Sequence, residues 1–314
     1  MDSSTPLTIS ELTSSSGDLI ADQRFEFGLQ LRARGEPGMA ADVIAQALDL
    51  APLWPEARFA LAETLALAGQ GEAAITAYRA YLDLDAGDSM GAAARMHLLG
   101  GLDDVPNLSA AYVRRLFDQY APRFEDSLVE RLQYSVPAAF RRMIDTAAPG
   151  RRFGRALDLG CGTGLVGAAV RDLVDRLDGI DLSPGMIALS ARKNIYDRLW
   201  EADVGAAMTS IDRYDLILAG DVLCYIRDLA PVLSAARDAL NRGAPKCAAM
   251  FAFSLEHGDG DGVALYGGQR YRHGAALVDR LIAANGYTVR SQLRAPIRLE
   301  GDGEIIGNIY LLSV

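Results

Sequence analysis

The sequence predicts an α/β layered domain preceded by an all-helical one. Three observations carry this. From residue 154 to residue 314, apolar runs suited to strands alternate with helical stretches. Inside that alternation, Ala156-Leu157-Asp158-Leu159-Gly160-Cys161-Gly162-Thr163-Gly164-Leu165-Val166-Gly167 reads as a short strand, a glycine-rich turn and the start of a helix. Before residue 105, residue types recur with a period of 34.

Length and composition bound the rest. A chain of 314 residues, 50% of them hydrophobic, holds two modest domains and a sizeable core. A formal net charge of −10 argues against broad nucleic-acid binding, which needs a basic footprint. The three cysteines, Cys161, Cys224 and Cys247, lie far apart with no C-x-x-C pair, so neither a zinc site nor a disulfide framework is expected. Cys161 and Cys224 read as small apolar fillers. Residues 1–17 are rich in Ser and Thr, lack the basic start and apolar core of a secretory signal, and read as a disordered tail. No apolar run approaches the ~18 residues of a membrane span, so the expected address is the cytoplasm.

The helical part comes next, over residues 18–105. Arg24, Phe25, Gly28, Leu31, Gly35, Ala40, Ile44 and Leu48 are followed 34 positions later by Arg58, Phe59, Ala62, Leu65, Gly69, Ala74, Tyr78 and Leu82. Small residues at Gly28, Ala40, Ala62 and Ala74 let paired helices approach, and Gly35 and Gly69 turn the chain between them. A degraded third copy starts near Ala92, with Leu99, Tyr112 and Leu116 at matching offsets. The period and residue types resemble the tetratricopeptide repeat. Such an array is either a packing appendage or a docking surface for a protein partner.

Residues 106–150 connect the two parts. Phe117, Tyr120, Phe124, Leu128 and Leu132 fall at helical steps, predicting helix over 111–140. Paired arginines at Arg114–Arg115, Arg141–Arg142 and Arg151–Arg152 read as solvated surface.

The glycine turn of the last domain, 151–314, admits two ligands. Gly162, Gly164 and Gly167 match G-x-G-x-x-G, the dinucleotide fingerprint. Yet Gly160 is the glycine that leaves the strand, and the fixed acid at Asp158 would repel a pyrophosphate. A cation, such as the amino group of a methionyl moiety, suits it better. Asp158-Leu159-Gly160-Cys161-Gly162-Thr163-Gly164 closely resembles the first motif of class I S-adenosylmethionine-dependent methyltransferases. With the repeats, the chain resembles a bacterial family of tetratricopeptide-linked methyltransferases. The resemblance implies a Rossmann-like sheet of seven strands ending in an antiparallel hairpin, and S-adenosylmethionine as the cofactor.

Strand one is expected at 155–159 and strand two at 177–182. Asp181 lies about twenty residues past the turn, where an acid accepts from both ribose hydroxyls. Ser183 caps and Pro184 opens the next helix. The resemblance places Leu182 and Met186 beside the adenine, and Asp203 and Val204 at the end of strand three (199–204) near its exocyclic amine. It assigns the backbone cradle to Gly160, Cys161, Gly162, Thr163 and Gly164. It makes Gly220, after strand four (214–220), the residue that leaves room for the sulfonium. Residues 116–125, Leu-Phe-Asp-Gln-Tyr-Ala-Pro-Arg-Phe-Glu, resemble the segment that folds over the cofactor in that family, which implies that Tyr120 and Phe124 close the pocket.

Asp221 and Tyr225 would then face the substrate. A helix over 228–240 and a fifth strand over 247–254 follow. Residues 258–268 read as a mobile glycine- and aspartate-rich loop without the ligand spacing of a calcium loop, so no metal is expected. Arg270-Tyr271-Arg272-His273 resembles the family's Arg-Tyr-x-His stretch before a helix at 275–285. His273, at the expected mouth of the site, reads either as a base or substrate contact or as a structural hydrogen bond to a helix end, with His257 and Glu256 as competing bases. His97 reads as surface or packing. Extended runs at 288–298 and 308–314 form the final hairpin.

These residues imply methyl transfer to a small-molecule acceptor through N or O. A protein substrate docked on the repeats, and a non-catalytic cofactor-binding scaffold, are the alternatives. Neither a nucleic-acid nor a membrane partner is expected.

Overall fold

Capping and small-residue contacts shape the helical unit. In the computed structural model, which describes residues 15–121, 133–207, 213–240, 249–267, 270–300 and 303–314, contacts divide the chain into Thr5–Tyr112 and a second unit beginning at Val113. Phe124 and Cys247 lie outside the described residues. In the first unit, α1 (Leu19–Ala33) starts where the Asp18 carboxylate accepts from the N–H groups of Ile20 and Ala21. α2 (Pro37–Leu50) and α3 (Pro55–Leu67) both open on proline, and α4 (Gly71–Leu82) follows α3. Gly35 and Gly69 hold φ of +81° and +75°, turning each pair. A Cβ on Gly28 would stand 2.6 Å from Ile44 Cγ1, so α1 and α2 meet closely only over a glycine. Phe25 against Trp54, and Phe59 between Tyr78 and Tyr81, fill the core. The region expected to hold a third copy contains the short α5 (Ala92–Leu98) and α6 (Ala110–Tyr120), and α6 belongs to the second unit from Val113 on.

In the second unit the strands show a period of two. Leu157, Leu159, Ile217, Ala219, Phe251, Phe253, Tyr310 and Leu312 join one buried cluster, while Ala156, Leu216, Leu218, Met250, Ala252, Ile309 and Leu311 join another. The sheet is thus buried on both faces. The strands are β1 (Phe153–Leu159), β2 (Val174–Asp181), β3 (Arg198–Glu201), β4 (Leu216–Ala219), β5 (Met250–Gly258), β6 (Val263–Tyr266), β7 (Arg270–Gly274), β8 (Thr288–Glu300) and β9 (Gly303–Ser313). The helices are α7 (Val136–Ala147), α8 (Leu165–Val170), α9 (Pro184–Arg192), α10 (Val204–Ala207), α11 (Ala230–Ala239) and α12 (Ala275–Ala284). α7 and α8 contribute Phe140, Ile144, Val166 and Val170 to one cluster, and α11 and α12 contribute Leu233, Ala236, Val278 and Ile282 to the other.

β3, β2, β1, β4 and β5 run parallel in that spatial order. β9 pairs antiparallel with β5 from Met250↔Ser313 to Glu256↔Gly307, and β8 pairs with β9. Among the described residues the sheet has nine strands where seven were expected. The difference is a β6–β7 hairpin with register Val263↔His273 to Tyr266↔Arg270. The stretch expected as a loop therefore carries a strand, because Val263-Ala264-Leu265-Tyr266 finds a pairing partner, and the Arg-Tyr-x-His stretch is itself strand. β7 runs parallel to β5 from Glu256↔Arg272 to Gly258↔Gly274. Glu256 already pairs with β9, so β7 takes the edge that β4 leaves after Ala219↔Phe253.

Two further corrections are local. β3 ends at Glu201, and Val204 opens α10 instead of ending the strand. Helix was expected across 111–140; α6 ends at Tyr120, residues 133–135 are not helical and α7 begins at Val136, while the part of that expectation over 122–132, with Leu128 and Leu132, lies outside the described residues. Among the described residues no helix is long and apolar enough to cross a membrane.

Candidate active site at the carboxyl ends of the strands

The glycine turn leaves β1 at the sheet's carboxyl edge, beside the end of β4, where the strand order reverses and open α/β sheets bind ligands. Gly160, Gly162 and Gly164 hold φ of +62°, +53° and +88°, which L side chains rarely adopt. A Cβ on Gly160 would meet Val222 Cγ2 at 2.4 Å. The turn is held by Cys161 N–H donating to the Ile180 carbonyl at 2.8 Å and by the Ser190 hydroxyl donating to the Gly162 carbonyl at 2.8 Å. Cys161 and Cys224 are buried free thiols, and burial pushes both up from their ordinary range, as fits apolar fillers.

Asp181 ends β2 against this turn. Its Oδ2 accepts from Gly162 N–H and its Oδ1 from Ser183 N–H, both at 2.9 Å. Burial pushes its carboxyl up, opposed by the hydrogen bonds from Ser183, Gly162 and Leu182. Ser183 caps α9 by accepting from Met186 N–H at 3.1 Å. Met186 is fully buried, Leu182 half-buried and Asp203 exposed beyond β3.

Asp158 is fully buried, and its Oδ2 accepts from the Tyr196 hydroxyl at 2.7 Å. Burial raises its carboxyl to about 7, opposed by hydrogen bonds from Tyr196 and the Gly167 N–H. Tyr196 packs against the glycines of the turn and of β2. Cβ atoms on Gly164, Gly167 and Gly179 would stand 3.1, 2.3 and 2.8 Å from its ring or hydroxyl. Asp158 Oδ1 and Thr163 Oγ1 are buried and have no hydrogen-bond partner.

α6 lies along the same edge. Asp118 Oδ1 accepts from the Ser183 hydroxyl at 2.5 Å and from Gly185 N–H at 3.2 Å, at the N-terminus of α9. Arg114 reaches Glu201 at 2.8 Å, and the Phe117 ring meets Tyr225 edge-on at 5.1 Å. Tyr120, at the end of α6, is 39% exposed and feels the charges of Arg270 and Glu300.

The remaining predicted residues follow β4. The space a Cβ would take at Gly220 is filled by Val166 Cγ2 at 2.6 Å and Tyr134 Oη at 3.0 Å, so that glycine accommodates packing rather than leaving an open gap. Asp221 holds φ of +58°, a conformation that costs a non-glycine residue about 1–3 kcal/mol and recurs at functional sites. Its N–H donates to Ser254 Oγ at 2.9 Å and its Oδ2 accepts from Arg298 Nη1 at 2.5 Å. Its Oδ1 is buried without a partner. Tyr225 belongs to a 3-10 turn, Leu223–Tyr225, and burial raises its phenol.

His273 is fully buried on β7 rather than standing at a mouth, because pairing with β5 draws it into the sheet. Its Nε2 lies 3.2 Å from the Arg227 carbonyl, its Nδ1 has no partner, and burial lowers its imidazole below the ordinary 6.5. Glu256, offered as a base, is buried with Arg270 Nε at 2.9 Å, Arg272 Nε at 3.4 Å and the Arg298 guanidinium against it. His257 sits 3.1 Å from Asn308 Nδ2. Arg270 and Arg298 also reach Glu300.

Sequence reading missed Tyr134, Tyr196, Asp118 and Arg298. The visible signal for Arg298 is a lone charge between Ile297 and Leu299. Among the described residues no group of three or more His, Cys, Asp or Glu side chains could hold a metal ion.

Two features of this edge bear on the cofactor. Three left-handed glycines present bare backbone, and the buried Asp158 Oδ1 and Thr163 Oγ1 beside them lack partners, as a site for a polar, partly cationic ligand requires. Comparison with known proteins bears on the fold. Residues 157–245 match the family described as "Methyltransferase domain". Over 113 residues the chain is 30% identical to the malonyl-[acyl-carrier protein] O-methyltransferase of Enterobacter lignolyticus (strain SCF1), covering 36% of this chain and 43% of that protein. The chain thus spans less than half the length of the curated relative it matches. It is similar in structure to the 1,6-didemethyltoxoflavin-N1-methyltransferase of Burkholderia thailandensis, with a TM-score of 0.52 at 18% identity over 67% of this chain and 92% of that one. An S-adenosylmethionine-dependent methyltransferase of Clostridium acetobutylicum ATCC 824 gives a TM-score of 0.47 at 15% identity, over 63% of this chain and 99% of that one. The chain has the α/β fold of class I methyltransferases, and its residues 157–245 match a methyltransferase domain.

Proposed function

We propose that this protein transfers the methyl group of S-adenosylmethionine to a small-molecule acceptor through N or O. The observation that carries the reading is the grip of Asp181 on Gly162 N–H, which sets an acid from the end of β2 against a turn of left-handed glycines. In this reading Asp181 holds the ribose. Gly160, Cys161, Gly162, Thr163 and Gly164 cradle the methionyl end with Asp158 behind them. Leu182, Met186, Asp203 and Val204 bound the adenine, and Tyr120 covers it from α6. Bound S-adenosylmethionine supplies an electrophilic methyl on a sulfonium, and the protein supplies position and exclusion of water. Asp221 and Tyr225 form the acceptor side. His273, enclosed behind Arg227, supports that wall. A titration calorimetry experiment with S-adenosylhomocysteine tests the reading: the wild type binds, and Asp181→Ala loses at least about 100-fold in affinity. Equal affinity in the two would remove the ribose role.

We propose that residues 18–105 are a tetratricopeptide-like array, 106–150 a lid segment and 151–314 the catalytic domain. The recurrence of left-handed Gly35 and Gly69 at the helix turns, 34 residues apart, supports the array. That surface leaves a protein substrate as the second reading. Loss of methylation of a protein, with retained cofactor binding, on deleting residues 1–105 would favour it.

A further inference from the structure

Asp221 combines three features that packing alone does not call for. It holds a left-handed backbone although it is not glycine. One carboxylate oxygen is held by a guanidinium that is only 3% exposed, and the other is buried without a partner. It stands directly after β4, at the edge where the glycine turn leaves β1. Arg298 is the link behind it. One nitrogen of its fork binds Asp221, and the other binds Glu256, which Arg270 and Arg272 hold from β7. The fork is fixed from behind, so Asp221 Oδ2 is fixed with it and Oδ1 keeps a single direction.

We propose that Arg298 is the positioning residue of the acceptor side, aiming Asp221 Oδ1 at the acceptor atom and so selecting acceptors that carry an N–H or O–H. This rests on the methyltransferase reading above. In the transfer, the acceptor's lone pair forms the bond to the methyl carbon. The methyl–sulfur bond breaks with its electron pair staying on sulfur, and the acceptor's proton passes to Asp221 Oδ1. An acceptor without such a proton leaves the buried oxygen unpaired, which disfavours it.

Two probes that need no identified acceptor test this. S-adenosylhomocysteine has nothing at the methyl position. Sinefungin carries an amine there, standing where a proton-bearing group would meet Oδ1. Wild-type protein binds sinefungin at least about tenfold more tightly than S-adenosylhomocysteine by calorimetry. Asp221→Asn and Arg298→Lys bring that ratio to near one while affinity for S-adenosylhomocysteine stays within about threefold. Lysine keeps the charge but lacks the fork that spans two carboxylates. If Arg298→Lys melts before binding is measured, the pair Glu256→Gln with Arg298→Gln, which preserves net charge, gives the same readout. An unchanged ratio in the Arg298 variants, or equal loss of both ligands, overturns the positioning role. Wild type that binds both probes equally overturns the inference alone, whereas wild type that binds neither overturns the methyltransferase reading itself.

Discussion

The hydroxyl of Tyr196 donates to Asp158 across 38 residues of sequence, at 2.7 Å, and the ring beneath it occupies the space that side chains at Gly164 and Gly167 would need. The glycine turn thus has an inner face, packed against the tyrosine, as well as an outer one. On that inner face Gly167 is needed for the tyrosine.

A double-mutant cycle follows. Gly167→Ala places a Cβ 2.3 Å from the Tyr196 hydroxyl. Overpacking of this kind costs about 1–3 kcal/mol. In a Tyr196→Ala background the same change costs under about 0.5 kcal/mol, because the clashing ring is gone, and chemical denaturation reads the coupling. Additive costs would mean that Gly167 is required for another reason.

Asp118 fastens α6 to the N-terminus of α9 through Ser183 and Gly185. Asp118→Ala removes both contacts at a cost of about 0.5–2 kcal/mol, the range of a lost helix cap. Hydrogen exchange over 113–121 speeds up in the variant, while that of α11 and α12 does not change. Unaltered exchange at α6 would show that the Arg114–Glu201 pair and Phe117 hold the helix without Asp118.

The stability of the ligand-free protein carries a signature of Asp158. Burial raises this carboxyl from the ordinary 3.8 to about 7. Between those values the folded chain holds a proton that the unfolded chain has released. The contribution of this group therefore falls as pH rises through that window and is constant above it. Asp158→Asn removes this dependence. Wild type is accordingly most stable relative to the variant near pH 4, and its advantage shrinks towards pH 7, as melting temperatures across that range will show. A constant gap would mean that Asp158 is ionised throughout.

What was legible in the sequence is what is local. Strand, turn and helix around Asp158 to Gly167 follow from residues within a dozen positions of one another, as does the capping of α9 by Ser183. What was hidden joins distant segments. Ser183 and Asp118 are 65 residues apart, and Arg298 and Asp221 are 77 apart. No periodicity records such a pairing. His273 was expected in the open because a motif fixes neighbours along the chain but not the strand that will pair with them. The hairpin of β6 and β7 was obscured by composition: glycine and aspartate around Val263–Tyr266 read as loop, although those four residues pair with β7. The charge of Arg298, flanked by Ile297 and Leu299, was a visible cue that it joins the ionic cluster.

β7 takes up the edge of β5 that β4 relinquishes, and it brings Arg270 and Arg272 with it. Neither β6, β7, β8 nor β9 pairs with β1 or β2, which frame the turn. The molecule is therefore modular along its rim. Lengthening or re-threading the chain between positions 258 and 274 would reshape the ionic cluster around Glu256 and spare the glycine turn. On the function proposed above, diversification of the acceptor among duplicated copies of this protein would concentrate in that hairpin, with the glycine turn inherited unchanged.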